Sequence, residues 1–175
     1  MKRLTFIKGL VMTFALSCFS MLAFAQQSPN TSVTGTINGA NVTIKYGSPS
    51  VKGRQIYGTN LVPYEGKVWR AGANSATVIE TDKDLTVEGK KLPAGKYSIY
   101  IIASEKDWVI ILNSKTGQWG INRDGTTTLD PAFDVIRVTV TPKKSAAMTE
   151  TLAYKINNNG FVLSWENLDV PVSIK

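Results

Sequence analysis

Residues Tyr97–Leu112, YSIYIIASEKDWVIIL, decide the fold. Tyr97 to Ala103 and Trp108 to Leu112 are apolar at nearly every position. That pattern suits strands covered on both sides, whereas a strand with one wet face alternates. The polar residues Ser104–Asp107 join the two runs tightly, so the stretch reads as a hairpin at the centre of a sheet.

Outward from this hairpin the period becomes two. Val42, Ile44 and Tyr46 share a face opposite Thr43 and Lys45. The same parity recurs at Ile136, Val138 and Val140, at Leu152, Tyr154 and Ile156, at Phe161, Leu163 and Trp165, and at Val170, Val172 and Ile174. No long segment repeats apolar residues at i, i+3, i+4 and i+7, so helices are not expected. Asn157-Asn158-Asn159-Gly160 tolerates positive φ between two alternating runs and predicts a second hairpin, Leu152 to Trp165. Glu88-Gly89-Lys90 and Pro93-Ala94-Gly95 are two further turns. The expected class is all-β, an antiparallel β-sandwich, with a jelly roll as one form it could take. Gly47–Lys67 and Ser114–Pro131 are long loops, and loops of that length on a compact sandwich are where function is sought.

The N-terminus reads as an export signal over residues 1–25. Met1-Lys2-Arg3 and Lys8 form a basic start, Gly9 to Leu22 an apolar run too short to span a bilayer, and Ala23-Phe24-Ala25 a small-x-small cleavage site. Cys18 is poorly placed for lipid attachment, because greasy residues follow it. Residues 26–40 are expected to hold a flexible leader, polar from Gln26 to Ser32, and the first strand; residues 41–175 form a single domain. The exported chain of 150 residues is long enough for one core without disulfides.

Lys2, Arg3 and Lys8 leave with the signal, so 17 basic residues face 13 acidic ones, a net charge of +4. The charges are scattered, with Lys90-Lys91 and Lys143-Lys144 the longest basic runs, which does not suit nucleic acid. The chain has no histidine, and its one cysteine lies in the signal. Imidazole bases, thiol nucleophiles and Cys/His zinc sites are therefore excluded from the exported protein. No cofactor or metal is expected. Asp124, Asp130 and Asp134 cluster in a Gly/Thr-rich loop, but their spacing matches no calcium loop.

The candidate binding residues come from Val68–Glu80, VWRAGANSATVIE, and the two long loops. Arg54, Arg70 and Asn74 could hold the polar groups of a ligand, with Trp69 and Trp119 offering apolar faces. The plainer alternative makes Trp69 a plug in the core and Arg70 a local tie. Such residues suit a glycan or a small anion, so a non-catalytic ligand-binding module is the leading expectation. A carboxylate hydrolase or lyase using lysine or tyrosine, and a structural or protein-binding module, are the alternatives.

YGSPSVKGRQIYG from Tyr46, LVPYEGKVWRAGAN, KLPAGKYSIY, DWVIILN, QWG and the terminal LSWENLDVPVSIK together resemble the domain-of-unknown-function family 2911. The resemblance runs from Val42 to Lys175 and implies secreted bacterial proteins, without an activity to carry over. The chain departs from the family pattern at Ala71, where threonine is frequent, and at Ile121–Asp124, where an aromatic-rich phrase often follows Trp-Gly.

Overall fold

The computed structural model describes residues 27–64 and 66–175; the expected export signal, Cys18 included, lies outside them. Ten strands follow in chain order: β1 (Asn30–Ile37), β2 (Ala40–Gly47), β3 (Ala73–Thr81), β4 (Leu85–Val87), β5 (Lys90–Leu92), β6 (Gly95–Ile102), β7 (Trp108–Asn113), β8 (Asp134–Val140), β9 (Lys143–Asn157) and β10 (Gly160–Ser173). A 3-10 turn, Pro131–Phe133, stands before β8. Among the described residues no helix is long and apolar enough to cross a membrane.

One layer is a six-stranded antiparallel sheet in the order β1-β2-β3-β6-β7-β8. Each strand pairs with its predecessor, apart from the small β4–β5 hairpin inserted between β3 and β6. This is a meander and not the crossed-over order of a jelly roll: each connection, whether a short turn such as Asn38-Gly39 (φ 48° and 76°) or a long loop, returns the chain to the strand beside it. The second layer is the long β9–β10 hairpin. β4 extends it through the Val87–Ile174 bridge and the Thr86–Lys175 backbone bonds of 2.7 and 2.8 Å, and Ser50 bridges Thr151 on the far side of β9.

The core lies between the layers. Ile99, Ile101, Trp108, Ile110 and Leu112 of the central hairpin pack there against Leu152, Tyr154, Phe161, Leu163 and Trp165 of the second layer. Tyr100 and Ile111 point the other way and form a separate buried cluster with Ala76, against which Leu129 packs. The loop 114–131 thus covers the outer side of β6 and β7, which is why those strands are apolar on both faces.

Phe161–Trp165 and Val170–Ile174, which read as two alternating runs, belong mostly to the single strand β10. The inward residues are odd-numbered before Glu166 and even-numbered after it. Glu166 sits at φ 50°, out of the extended region, where the register with β9 shifts on both sides, and the parity of β10 switches there. β1 begins at Asn30, inside the polar stretch read as a leader, because Asn30 pairs with Gly47 and the Ser48 amide donates to the Pro29 carbonyl at 2.8 Å. One edge of the large sheet is guarded: Lys90 of the β5 hairpin donates its Nζ to the Arg137 carbonyl of β8 at 2.7 Å.

Candidate functional site

The segment Val68–Asn74 is a corner built from alternating side chains and two left-handed residues. Trp69 is 4% exposed; its ring stacks on Trp165 (centroids 6.1 Å, 17°) and meets Trp108 edge-on (6.5 Å, 89°). Its backbone exchanges two hydrogen bonds with Ile101, at 2.7 and 2.8 Å. Alternation then sends Arg70 to the outer side of the sheet. There its Nη1 donates to the Trp119 carbonyl at 3.2 Å, and its guanidinium carbon lies 5.6 Å from the centroid of the Trp119 ring. Trp119 is 50% exposed.

After Arg70 the backbone turns through Ala71 at φ 58° and Asn74 at φ 61°, both unusual for a side-chain-bearing residue. The Ala71 carbonyl accepts from the Thr77 hydroxyl at 2.9 Å and the Tyr154 hydroxyl at 2.8 Å, which holds the strained turn in place. Asn74, 7% exposed, donates its amide to the Ser28 carbonyl at 2.7 Å and to Asn30 Oδ1 at 2.9 Å, tying down the start of β1. Arg54 donates Nε to the Val51 carbonyl at 3.0 Å and Nη2 to the Ser50 carbonyl at 2.6 Å, bracing its own loop. Of the five candidate residues, the fold therefore joins Arg70 and Trp119 on the outer face. Trp69 faces the core, and Asn74 and Arg54 are engaged in local ties.

The corner also opens the sheet. Lys45 of β2 pairs with Val78 and Gly47 with Ala73, so Asn74–Thr77 stand together opposite Tyr46, a wide bulge of β3. A Cβ on Gly47 would run into the Ala73 carbonyl, so this close approach requires glycine. Beside the bulge the outer face holds a trough of about 550 Å³ lined by Ser32, Lys45, Ser75, Val78, Lys96 and Thr116.

The loop 114–131 forms the next wall. The Ala76 amide donates to the Gln118 carbonyl at 3.2 Å, and a Cβ on Gly120 would meet Arg70 Cβ at 2.8 Å, so this stretch lies directly on β3 and Arg70. Gln118 donates to the Tyr100 hydroxyl and the Lys115 carbonyl, both at 2.9 Å, while its buried Oε1 has no partner among the described residues. Beyond it the chain folds back, Asn122 N to Thr126 O at 2.8 Å and Thr128 N to Gly120 O at 3.2 Å. This small hairpin faces the other long loop across a cleft of about 730 Å³, lined by Leu61, Lys67, Val68, Trp69, Ile121 and Asp124. The trough and the cleft flank the Arg70–Trp119 pair. The sequence gives no sign of Lys45, Lys96, Lys67 or Ile121 as site residues, because each looks like an ordinary residue of its strand or loop.

Partial desolvation lowers the Arg70 pKa, yet a guanidinium keeps its charge. The Thr126 hydroxyl and amide, at 2.6 and 2.9 Å, hold the Asp124 carboxyl below its ordinary range. Asp130 accepts from the Ala132 amide, and Asp134 from Arg137 and Asn113, so the three loop aspartates are engaged separately. Tyr64 is raised, by desolvation first and then by Glu105 and Glu166.

Sandwich geometry, a bulged corner and an outer face with one exposed tryptophan under an arginine define a β-sandwich protein with a recessed outer surface. The chain belongs to the family described as Protein of unknown function (DUF2911), whose model matches residues 28–174. Neither a curated protein nor a solved structure matches it.

Proposed function

We propose that the chain is a non-catalytic ligand-binding module, exported to the periplasm or the cell exterior, that binds a glycan or another envelope component on the outer face of its large sheet. The export half is supported by the basic start, apolar run and Ala23-Phe24-Ala25 of the N-terminus. The binding half is carried by one observation: Arg70 lies over a half-exposed Trp119 and spends one of its five N–H donors, at 3.2 Å on the Trp119 carbonyl. An aromatic face beside unspent guanidinium donors suits a sugar, whose C–H face stacks while its hydroxyls accept. A hydrolase built on carboxylate and tyrosine would turn to Tyr64 with Glu105 and Glu166. Burial first, and then those two carboxylates, raise the phenol's pKa, away from the neutral range that general acid–base work needs.

The test is a thermal-shift and calorimetric screen of the purified protein against neutral and acidic oligosaccharides. A glycan at 100 times its Kd raises stability by about 2.7 kcal/mol. Trp119→Ala is expected to melt with the unchanged protein and to lose the shift. Binding that survives Trp119→Ala, or silence across the whole panel, overturns the proposal.

A further inference from the structure

The trough beside the bulge carries charge as well as shape. On the outer face Ser32, Lys45, Val78 and Ser98 form one cross-strand row, and Thr34, Thr43, Glu80 and Lys96 the next. Lys45 and Lys96 therefore stand two strands and one row apart, about 12 Å at the backbone, diagonally across β3. Lys96 meets Glu80 at 3.5 Å with both side chains about half exposed, a pairing that contributes little. Lys45 has no ion-pair partner among the described residues. The recess is thus net positive, with one cation unengaged, an apolar floor of Ala76 and Val78, and the hydroxyls of Ser75 and Thr116 on its wall.

That combination selects among ligands. A small inorganic anion can take both ammonium groups, but it leaves the apolar floor uncovered. A sugar ring bearing a carboxylate meets all three: the lysines take the charge, the hydroxyls exchange hydrogen bonds, and a C–H face covers Val78. The far cleft carries Lys67 and Asp124 together, so it holds no comparable excess of charge.

The site also takes in three neighbouring surfaces. Thr116 lines the trough, Trp119 stands on the ridge and Ile121 lines the cleft, at most about 17 Å of extended chain. From a second segment, 68–76, Ser75 and Ala76 serve the trough, Arg70 the ridge and Val68 the cleft. Resting on the glycan-binding proposal above, we infer that the ligand is an acidic oligosaccharide of several rings. One uronate-type ring sits in the Lys45–Lys96 trough, another on Trp119, and the chain continues toward the cleft between the two long loops.

Calorimetry of the purified protein with uronic-acid oligomers of one to four rings, and neutral hexose oligomers of the same lengths, tests this. Affinity is expected to rise with length to at least three rings, with acidic oligomers about tenfold tighter than neutral ones and more salt-sensitive. Lys45→Gln with Lys96→Gln is expected to remove that tenfold advantage and leave neutral oligomers unchanged. Lys143→Gln with Lys144→Gln, which changes net charge equally on exposed β9 positions, is expected to leave both unchanged. Melting curves of both double variants check that the fold is intact. Equal affinity for acidic and neutral oligomers, an inert Lys45/Lys96 pair, an equal loss in the β9 control, or no dependence on length overturns the inference while glycan binding stands. Loss of binding to every oligomer in the unchanged protein overturns both.

Discussion

The two faces of the six-stranded sheet are made by the same strands and closed in different ways. The inner face is covered by a second sheet, and Trp69, Trp108 and Trp165 interlock there at 1–4% exposure. The outer face is covered by the single loop 114–131 over β6 and β7, and where that cover ends it leaves the trough on one side and the cleft on the other. A sheet closes a face completely, whereas a loop closes part of it and leaves recesses at its margins. Trp69 and Trp119 express that difference: similar rings, one a structural wedge and the other half in water.

Three substitutions probe this contrast, in descending order of expected effect. Trp69→Ala empties the centre of the tryptophan group and is expected to cost about 3–5 kcal/mol, read from urea unfolding. Against a domain stability of about 5–15 kcal/mol, that loss removes from about a fifth to all of it. Asn74→Gly keeps the left-handed turn and deletes the amide bonds to Ser28 and Asn30. Its expected net cost is about 1 kcal/mol, since two hydrogen bonds of about 0.5–1.5 kcal/mol each are partly offset by relief of strain at φ 61°. Amide exchange should quicken at the start of β1 and hardly change in β6 and β7. Trp119→Ala should change the unfolding free energy by less than about 0.5 kcal/mol. If Trp119→Ala costs as much as Trp69→Ala, the outer face is as structural as the inner one and the contrast fails.

The centre of the fold was legible because burial on both faces leaves an unbroken apolar run, and Tyr97–Leu112 is one. The β9–β10 hairpin was legible from three asparagines and a glycine between alternating runs. The continuity of β10 was not, since a bulge at Glu166 looks in sequence like the end of one strand and the start of another. The first half of β9, Lys143–Glu150, left no mark because it is largely exposed and selects no apolar period.

The candidate site divides in the same way. The alternation that places Trp69 inward and Arg70 outward is written locally. The meeting of Arg70 with Trp119 across 49 positions is not. Arg54 and Asn74 looked available because a sequence lists donors without the backbone carbonyls that consume them.

The Lys90 ammonium on the Arg137 carbonyl has a consequence for how copies of this protein meet. An incoming strand that added to β8 would have to displace that ammonium or bury it against its own backbone, and burying an uncompensated charge is costly. A single side chain thus discourages fibre-like stacking along this edge of the large sheet.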